Sequence, residues 1–332
     1  MNHIIHALRT TQGYRLAVVF LLTCLVAGCD TAAPPKGSST TKAQSPSPVE
    51  AKIGILLVSH GSRSKSWCKM VLCIEDAVRD ELLQDQEIAG VRSAFMEYQE
   101  PSIASQMKEF DREGYADVIL VPLLMTVSSH SFDDIPTIIG QKRDHKTLET
   151  LRLEGIEVYK PKAKVHMAPL LDFPEVLQNN VARRVKKMSQ NPKNEGIVLV
   201  AYGAEQYEKQ WEKLIKQVAE HVRQETGVTC IEHSWCGHIV RYKSEPTEKA
   251  IKKVLDQKKR ALVLPVLVAV DEMFQGKIIG GAIKNVNEGD RIAYRHDAIL
   301  PDEDINRWVV EISRQVASKL VKEPKTSDAA SE

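Results

Sequence analysis

No Gly-rich phosphate loop, no paired Cys-x-x-Cys and no long basic block occurs anywhere in the 332 residues. The first absence removes the usual cradle for a nucleotide phosphate, and the second removes the spacing of a structural zinc site. A formal net charge of +1 with only 5% aromatic residues, and no aromatic-rich sheet motif, argues against a nucleic-acid partner. Long apolar runs are scarce too. The run Leu16–Ala27 is too short to span a bilayer comfortably.

That run follows Arg9 and Arg15 and ends in Gly28-Cys29, the order of basic, apolar and small residues found in a secretory signal. Leu25-Val-Ala-Gly-Cys29 resembles a bacterial lipobox, in which the cysteine is lipidated after cleavage. The expectation is therefore a signal peptide over 1–28 and a lipid-anchored tether over 29–50. Asp30 to Glu50 is Pro, Ser, Thr, Ala and Lys with almost nothing to bury, a composition that cannot repay the entropy of ordering. The protein would then be exported and held at a membrane by Cys29, on the periplasmic side of the envelope.

From Ile53 the character changes. Ile53-Gly-Ile-Leu-Leu-Val58 reads as a short buried strand, and Ser59-His60-Gly61-Ser62 ends it. Apolar residues Trp67, Val71, Ile74, Val78 and Leu82 then recur at helical spacing. Val91 to Met96 is a second strand, Pro101-Ser102 opens a second helix bearing Ile103, Met107 and Phe110, and Val118 to Leu124 is a third strand. Alternation of strand and helix means parallel βαβ units.

The pattern then repeats. Glu195 to Ala204 echoes the opening strand and turn, with Tyr202 in the place of His60. Glu245-Pro246-Thr247 echoes Glu100-Pro101-Ser102, and the strand around Pro265 echoes that around Pro122. The fold class expected is α/β, two similar doubly wound parallel-sheet domains over 51–190 and 191–324, made by internal duplication. A disordered tail is expected over 325–332.

Groups that do chemistry in an open parallel sheet sit where strands end and helices begin. In the first copy His60, Glu97 and His130 all fall there, 37 and 33 residues apart. Two imidazoles and a carboxylate suit Co2+, Ni2+, Fe2+ or Zn2+. A turn histidine satisfied by a carbonyl is the plainer reading of His60. The second copy puts Tyr202, roughly Tyr242, and Met273 or Glu272 in these places, so one working site is expected, with the other half shaping its wall.

Leu57-Val-Ser-His60-Gly-Ser-Arg63, Phe95-Met-Glu97-Tyr-Gln-Glu-Pro101-Ser102, and Val121-Pro-Leu-Leu124 leading to His130 and Asp134-Ile-Pro136 together resemble the class II tetrapyrrole chelatases, nearest the sirohydrochlorin cobaltochelatases. The resemblance covers Ile53 to about Pro174, and the second copy only in outline. It implies metal binding and catalysis by His60, Glu97 and His130, and substrate contacts from Ser62, Arg63 and Ser129. The implied reaction inserts a divalent metal, cobalt first, into sirohydrochlorin or a related tetrapyrrole without ATP. The metal is a substrate, no cofactor is tightly bound, and self-association is left open. The macrocycle would lie in the cleft between halves. Val127-Ser128-Ser129 stands where the family has Gly-rich residues. The rival reading is a non-catalytic periplasmic carrier of metal or tetrapyrrole.

Cys230-Ile-Glu-His233-Ser-Trp-Cys236-Gly-His238 is a second cluster, readable as a metal site, a Cys230–Cys236 disulfide or buried thiols. Cys68 and Cys73, five apart on a helix, do not face each other. His145, His166, His221 and His296 have no obvious partners in the sequence.

Overall fold

The computed structural model describes residues 52–124, 130–169 and 173–322. The signal, the lipid site Cys29, the tether, Ser129 and the tail from 325 lie outside these residues. The first half runs β1 (Ile53–Ser59), α1 (Lys65–Leu82), β2 (Ile88–Phe95), α2 (Ile103–Arg112), β3 (Asp117–Pro122), α3 (Ile135–Ile138), α4 (His145–Leu153), β4 (Lys164–Met167) and α5 (Phe173–Met188). The second runs β5 (Glu195–Ala201), α6 (Glu208–Thr226), β6 (Cys230–Trp235), α7 (Glu245–Leu255), β7 (Arg260–Val266), α8 (Gly280–Val286), β8 (Ile292–Tyr294) and α9 (Glu303–Lys322). A π-helical segment precedes α3 (His130–Asp134) and another precedes α8 (Glu272–Ile279).

Each half forms one four-stranded parallel sheet, in the orders β2-β1-β3-β4 and β6-β5-β7-β8. The two orders correspond strand for strand. They can be aligned residue by residue, because Val58 pairs with Pro122 in one sheet and Val200 with Pro265 in the other. His60 and Tyr202 are therefore equivalent. Gly54 and Gly196 are equivalent too, and each admits a packed helix: a Cβ would meet the Phe110 ring at 2.4 Å or Val254 at 2.6 Å.

The strands are apolar throughout because both faces are covered. Along β1, Ile53, Ile55 and Leu57 enter one core while Leu56 and Val58 enter another. Along β5, Ile197, Leu199 and Ala201 join that first core, and Val198 and Val200 enter a third. Both sheets thus share a middle layer, formed by α1, α5, α6 and α9, while α2 and α3 back the first sheet and α7 and α8 the second. In α1 the buried stripe begins at Cys68 rather than Trp67, which packs only half-buried at its edge.

The last helix of each half crosses over. α5 packs on α6 and β7 of the second half, and α9 packs on α1 and β3 of the first. Polar ties hold both crossings. In α5, Asn180 donates to the Ile299 carbonyl (3.0 Å), Arg183 pairs with Asp302 and Asp304, and Arg184 donates to the Pro265 carbonyl (2.8 Å). In α9, Arg314 reaches Asp85 (2.8 Å) and Glu81 (2.9 Å) at the end of α1. Val49–Glu332 is accordingly one compact unit. Among the described residues no helix is long and apolar enough to cross a membrane.

Candidate active site

The ends of β1 and β2 stay zipped beyond the sheet. Met96 N–H donates to the Ser59 carbonyl (2.8 Å) and Glu97 N–H to the His60 carbonyl (3.0 Å). That register puts Glu97 beside His60 although they lie far apart in sequence. Gly61 makes the approach feasible: at φ +99° it occupies a region side chains avoid, and a Cβ there would lie 2.0 Å from the Glu97 carbonyl oxygen. His130 opens the π-helical segment after β3 and completes the group.

His60 Nε2 lies 2.8 Å from Glu97 Oε1, and His60 Nδ1 lies 3.0 Å from the Gly61 carbonyl. A carbonyl only accepts, so Nδ1 carries a proton. The side chain of Glu97 is 8% exposed, against 37% for His60. Burial pushes the His60 pKa down, but the Glu97 hydrogen bond and charge, the Gly61 carbonyl and the Asp134 charge outweigh it, and the net shift is upward. Burial likewise pushes Glu97 up, and the His60 hydrogen bond and charge with His130 bring it net below the usual carboxylate value. Both shifts favour an imidazolium–carboxylate pair. The plainer reading of His60, a turn residue bonded to a carbonyl, describes its Nδ1 but not its Nε2.

The His130 ring stands edge-on to His60, with centroids 4.8 Å apart and planes at 78°. Its Nδ1 donates to Asp134 Oδ2 at 2.6 Å, which orients the ring and leaves Nε2 for a ligand. Asp134 had no assigned role in the sequence reading, yet its spacing of four from His130 on a helical segment was a usable signal. Three sequence-selected residues are thus brought together. Among the described residues no set of three His, Cys, Asp or Glu side chains already surrounds a common metal position. Here His60 and Glu97 face each other across a shared proton, and a metal would replace that proton.

Ser62 Oγ accepts from Ser64 N–H and donates to Asp271 Oδ2 (3.1 Å), tying this loop to the second half. Arg63 is exposed, its guanidinium 5.0 Å from the Tyr98 ring centroid. Glu154, beyond α4, completes the surroundings: partial burial and the Glu97 and Asp134 charges push its carboxyl up. Neither Tyr98, Glu154 nor Asp271 was picked out from the sequence.

In the second half Cys236 N–H donates to the Ala201 carbonyl and Gly237 N–H to the Tyr202 carbonyl. The equivalent of Glu97 is therefore Gly237, not Tyr242 as the sequence suggested; the loops after β2 and β6 differ in length of turn, which spoiled the count. Tyr242 still reaches the place in space, its hydroxyl 3.2 Å from that of Tyr202. Counting from Pro265 puts Met273 opposite His130; His130 opens its π-helical segment and Met273 is the second residue of the other, after Glu272.

Among the described residues, the Cys230–His238 cluster contains no disulfide and no three His, Cys, Asp or Glu side chains gathered on one point. Cys230 and Cys236 are free thiols. They stand at opposite ends of an extended strand, about 20 Å apart at ~3.3 Å per residue, far beyond bridging distance. Cys236 is buried and its thiol is pushed up to about 12, while His233 pairs with Glu212 (2.9 Å). Cys68 is buried and Cys73 exposed, so the two do not face each other. His166 does have a partner, Asp117 at 2.8 Å, and His296 lies 3.6 Å from Glu272.

Comparison with known proteins matches residues 54–188 to the CbiX family model. The sirohydrochlorin cobaltochelatase of Saccharolobus solfataricus is 24% identical over 135 residues, 41% of this chain and 94% of that protein. The sirohydrochlorin chelatase SirB from Bacillus subtilis subspecies spizizenii, solved in complex with cobalt, superposes with a TM-score of 0.55 at 16% identity, covering 81% of this chain and 96% of that one. SirB from Bacillus subtilis with Fe3+ gives 0.58 at 16% identity, covering 82% and 98%. At these identities the structures speak for the fold, which both halves share.

Proposed function

We propose that this chain, whose residues 54–188 match the CbiX family model, inserts a divalent metal, cobalt first, into sirohydrochlorin or a close relative, without a nucleotide. The observation that carries this reading is the His60–Glu97 contact of 2.8 Å with the His130 ring against it, at the ends of parallel strands. Insertion strips water from the ion and releases two pyrrole protons. Neutral His60 and His130 each offer an Nε2 lone pair to hold the ion. As the ion takes His60 Nε2, the displaced imidazole proton passes to water; Glu97 then accepts one of the two pyrrole protons and water carries off the other. The depressed carboxyl and raised imidazole keep the imidazole proton on His60, and Glu97 ionised beside it, until metal arrives.

The test is anaerobic incubation of the purified protein with sirohydrochlorin and Co2+, Ni2+ or Fe2+, followed by absorbance. Insertion above the rate in buffer is expected. Binding of ring and metal with no insertion would replace the enzyme with a carrier. The lipobox-like Val26-Ala-Gly-Cys29 supports a lipid anchor at an exported location. Cys29→Ala is then expected to move the protein from the membrane to the soluble fraction.

A further inference from the structure

A cleft of about 230 Å³ lies between α5 and the segment joining β8 to α9, and no residue of the His60 group lines it. Asn180, Arg183, Arg184 and Lys187 form its helical wall, spaced as one face of α5. Four cations and two carboxylates line this small space. Part of the arrangement is the tie between halves already described. Arg183 pairs with Asp302, Arg184 pairs with Asp297, and Asn180 donates to Asp302 at 2.7 Å. Both carboxylates that line the cleft are thereby engaged.

Two positive charges are left over. Lys187 and Arg295 are exposed, come from elements far apart in the chain, and have no carboxylate partner among the described residues. Lys187 stands in the last turn of α5, where a cation complements the helix end. Its neighbour Lys186 nevertheless reaches Glu225 at 2.7 Å, and Arg295 has no helix end to serve. Unmet polar atoms mark the same wall. Arg184 Nε and Asn180 Oδ1 are buried without a hydrogen-bond partner, in residues only 8% and 4% exposed. An unmet buried donor is costly, and like charges converging on one cleft repel.

We infer that this cleft binds a small, doubly charged oxyanion of the phosphate class, held by Lys187 and Arg295 with Arg184 Nε as a further donor. Two surplus cations match two negative charges, and ammonium and guanidinium donors suit phosphate oxygens. The cleft is smaller than the ~300–1,000 Å³ of sites for drug-sized ligands, so the anion fits alone or as the end of a short chain. Bound there, it clips α5 to the β8–α9 segment at the crossing the arginines already tie. The site uses neither metal nor tetrapyrrole, so it stands or falls apart from the chelatase reading.

Inorganic phosphate is titrated into the full chain by calorimetry, with ionic strength held constant by chloride. The wild type is expected to bind one phosphate. Arg295→Gln and Lys187→Gln should each weaken binding roughly tenfold, and the double change should abolish it. Lys249→Gln removes an exposed charge from α7 and should leave the affinity unchanged. No phosphate heat beyond the chloride control, or full affinity in the double variant, would overturn the site. So would an equal loss in Lys249→Gln, which would mean attraction to overall charge only. Glycerol 3-phosphate binding as tightly as phosphate would uphold the site and assign it to a phosphate ester. Weaker binding of the ester would uphold it for the free ion.

Discussion

Ser62 and Asp271 are 209 residues apart in sequence and 3.1 Å apart in space, and their contact joins the loop after β1 to the turn that opens the second π-helical segment. Asp271 Oδ1 accepts from Met273 N–H at 2.9 Å, so one carboxylate caps its own turn and grips the opposite half. Ser62→Ala should cost about 1.5–3 kcal/mol, the worth of a hydrogen bond to a charged acceptor. Urea titration with an unchanged m-value would read it. No shift in midpoint would mean that the two loops do not hold each other in solution.

Proton and metal compete for His60 Nε2. Because the folded pKa is raised above 6.5, the imidazole stays protonated through and somewhat beyond that pH. Co2+ affinity should therefore climb as pH rises through the raised pKa, with proton release seen by calorimetry in buffers of different ionisation enthalpy. Folding runs the other way. The raised His60 pKa stabilises fully below its unfolded value and ceases to as pH passes the folded one; the lowered Glu97 pKa stabilises above its unfolded value near 4.5 and ceases to in acid. A pH-independent Co2+ affinity across this window would contradict the shared proton.

Glu97→Gln preserves size and removes basicity. Ring and metal affinity should fall little, while turnover falls by roughly 10²–10⁴-fold, as for loss of a general base. His130→Ala should be slower still and should weaken Co2+ binding as well. Should binding and turnover fall together in Glu97→Gln, the carboxylate is a metal ligand first.

Glu195 tests the junction between halves. Its side chain, 2% exposed, accepts from Ser189 Oγ, Gln190 N–H (3.1 Å) and Arg260 (3.1 Å). Burial pushes its carboxyl up, but these donors outweigh it and hold it below the ordinary value. Glu195→Gln should cost about 1.5–3 kcal/mol near neutrality. A depressed carboxyl stabilises above its unfolded pKa, so the difference from wild type should shrink as pH falls below about 4.5. A constant difference would place the effect in packing rather than charge.

What could be read in the sequence was what is local. The apolar run of β1, the capped helices and the proline echo at 122 and 265 each depend on a few neighbouring residues. His60, Glu97 and His130 were legible because strand ends in a parallel sheet converge. The Cys230–His238 cluster misled because nearness in sequence is not nearness on an extended strand. Asp271 and Tyr98 matter through contacts that only the folded chain makes. The crossing of α5 and α9 had no local signature, since an amphipathic stripe does not say which sheet it covers.

That crossing gives the chain the connectivity of a two-fold dimer with exchanged arms, written in a single polypeptide. Each half lends its last helix to the other, so the halves cannot swing apart as hinged jaws without stripping both cores. A nick between Ser189 and Glu195 would leave two fragments still clasped together.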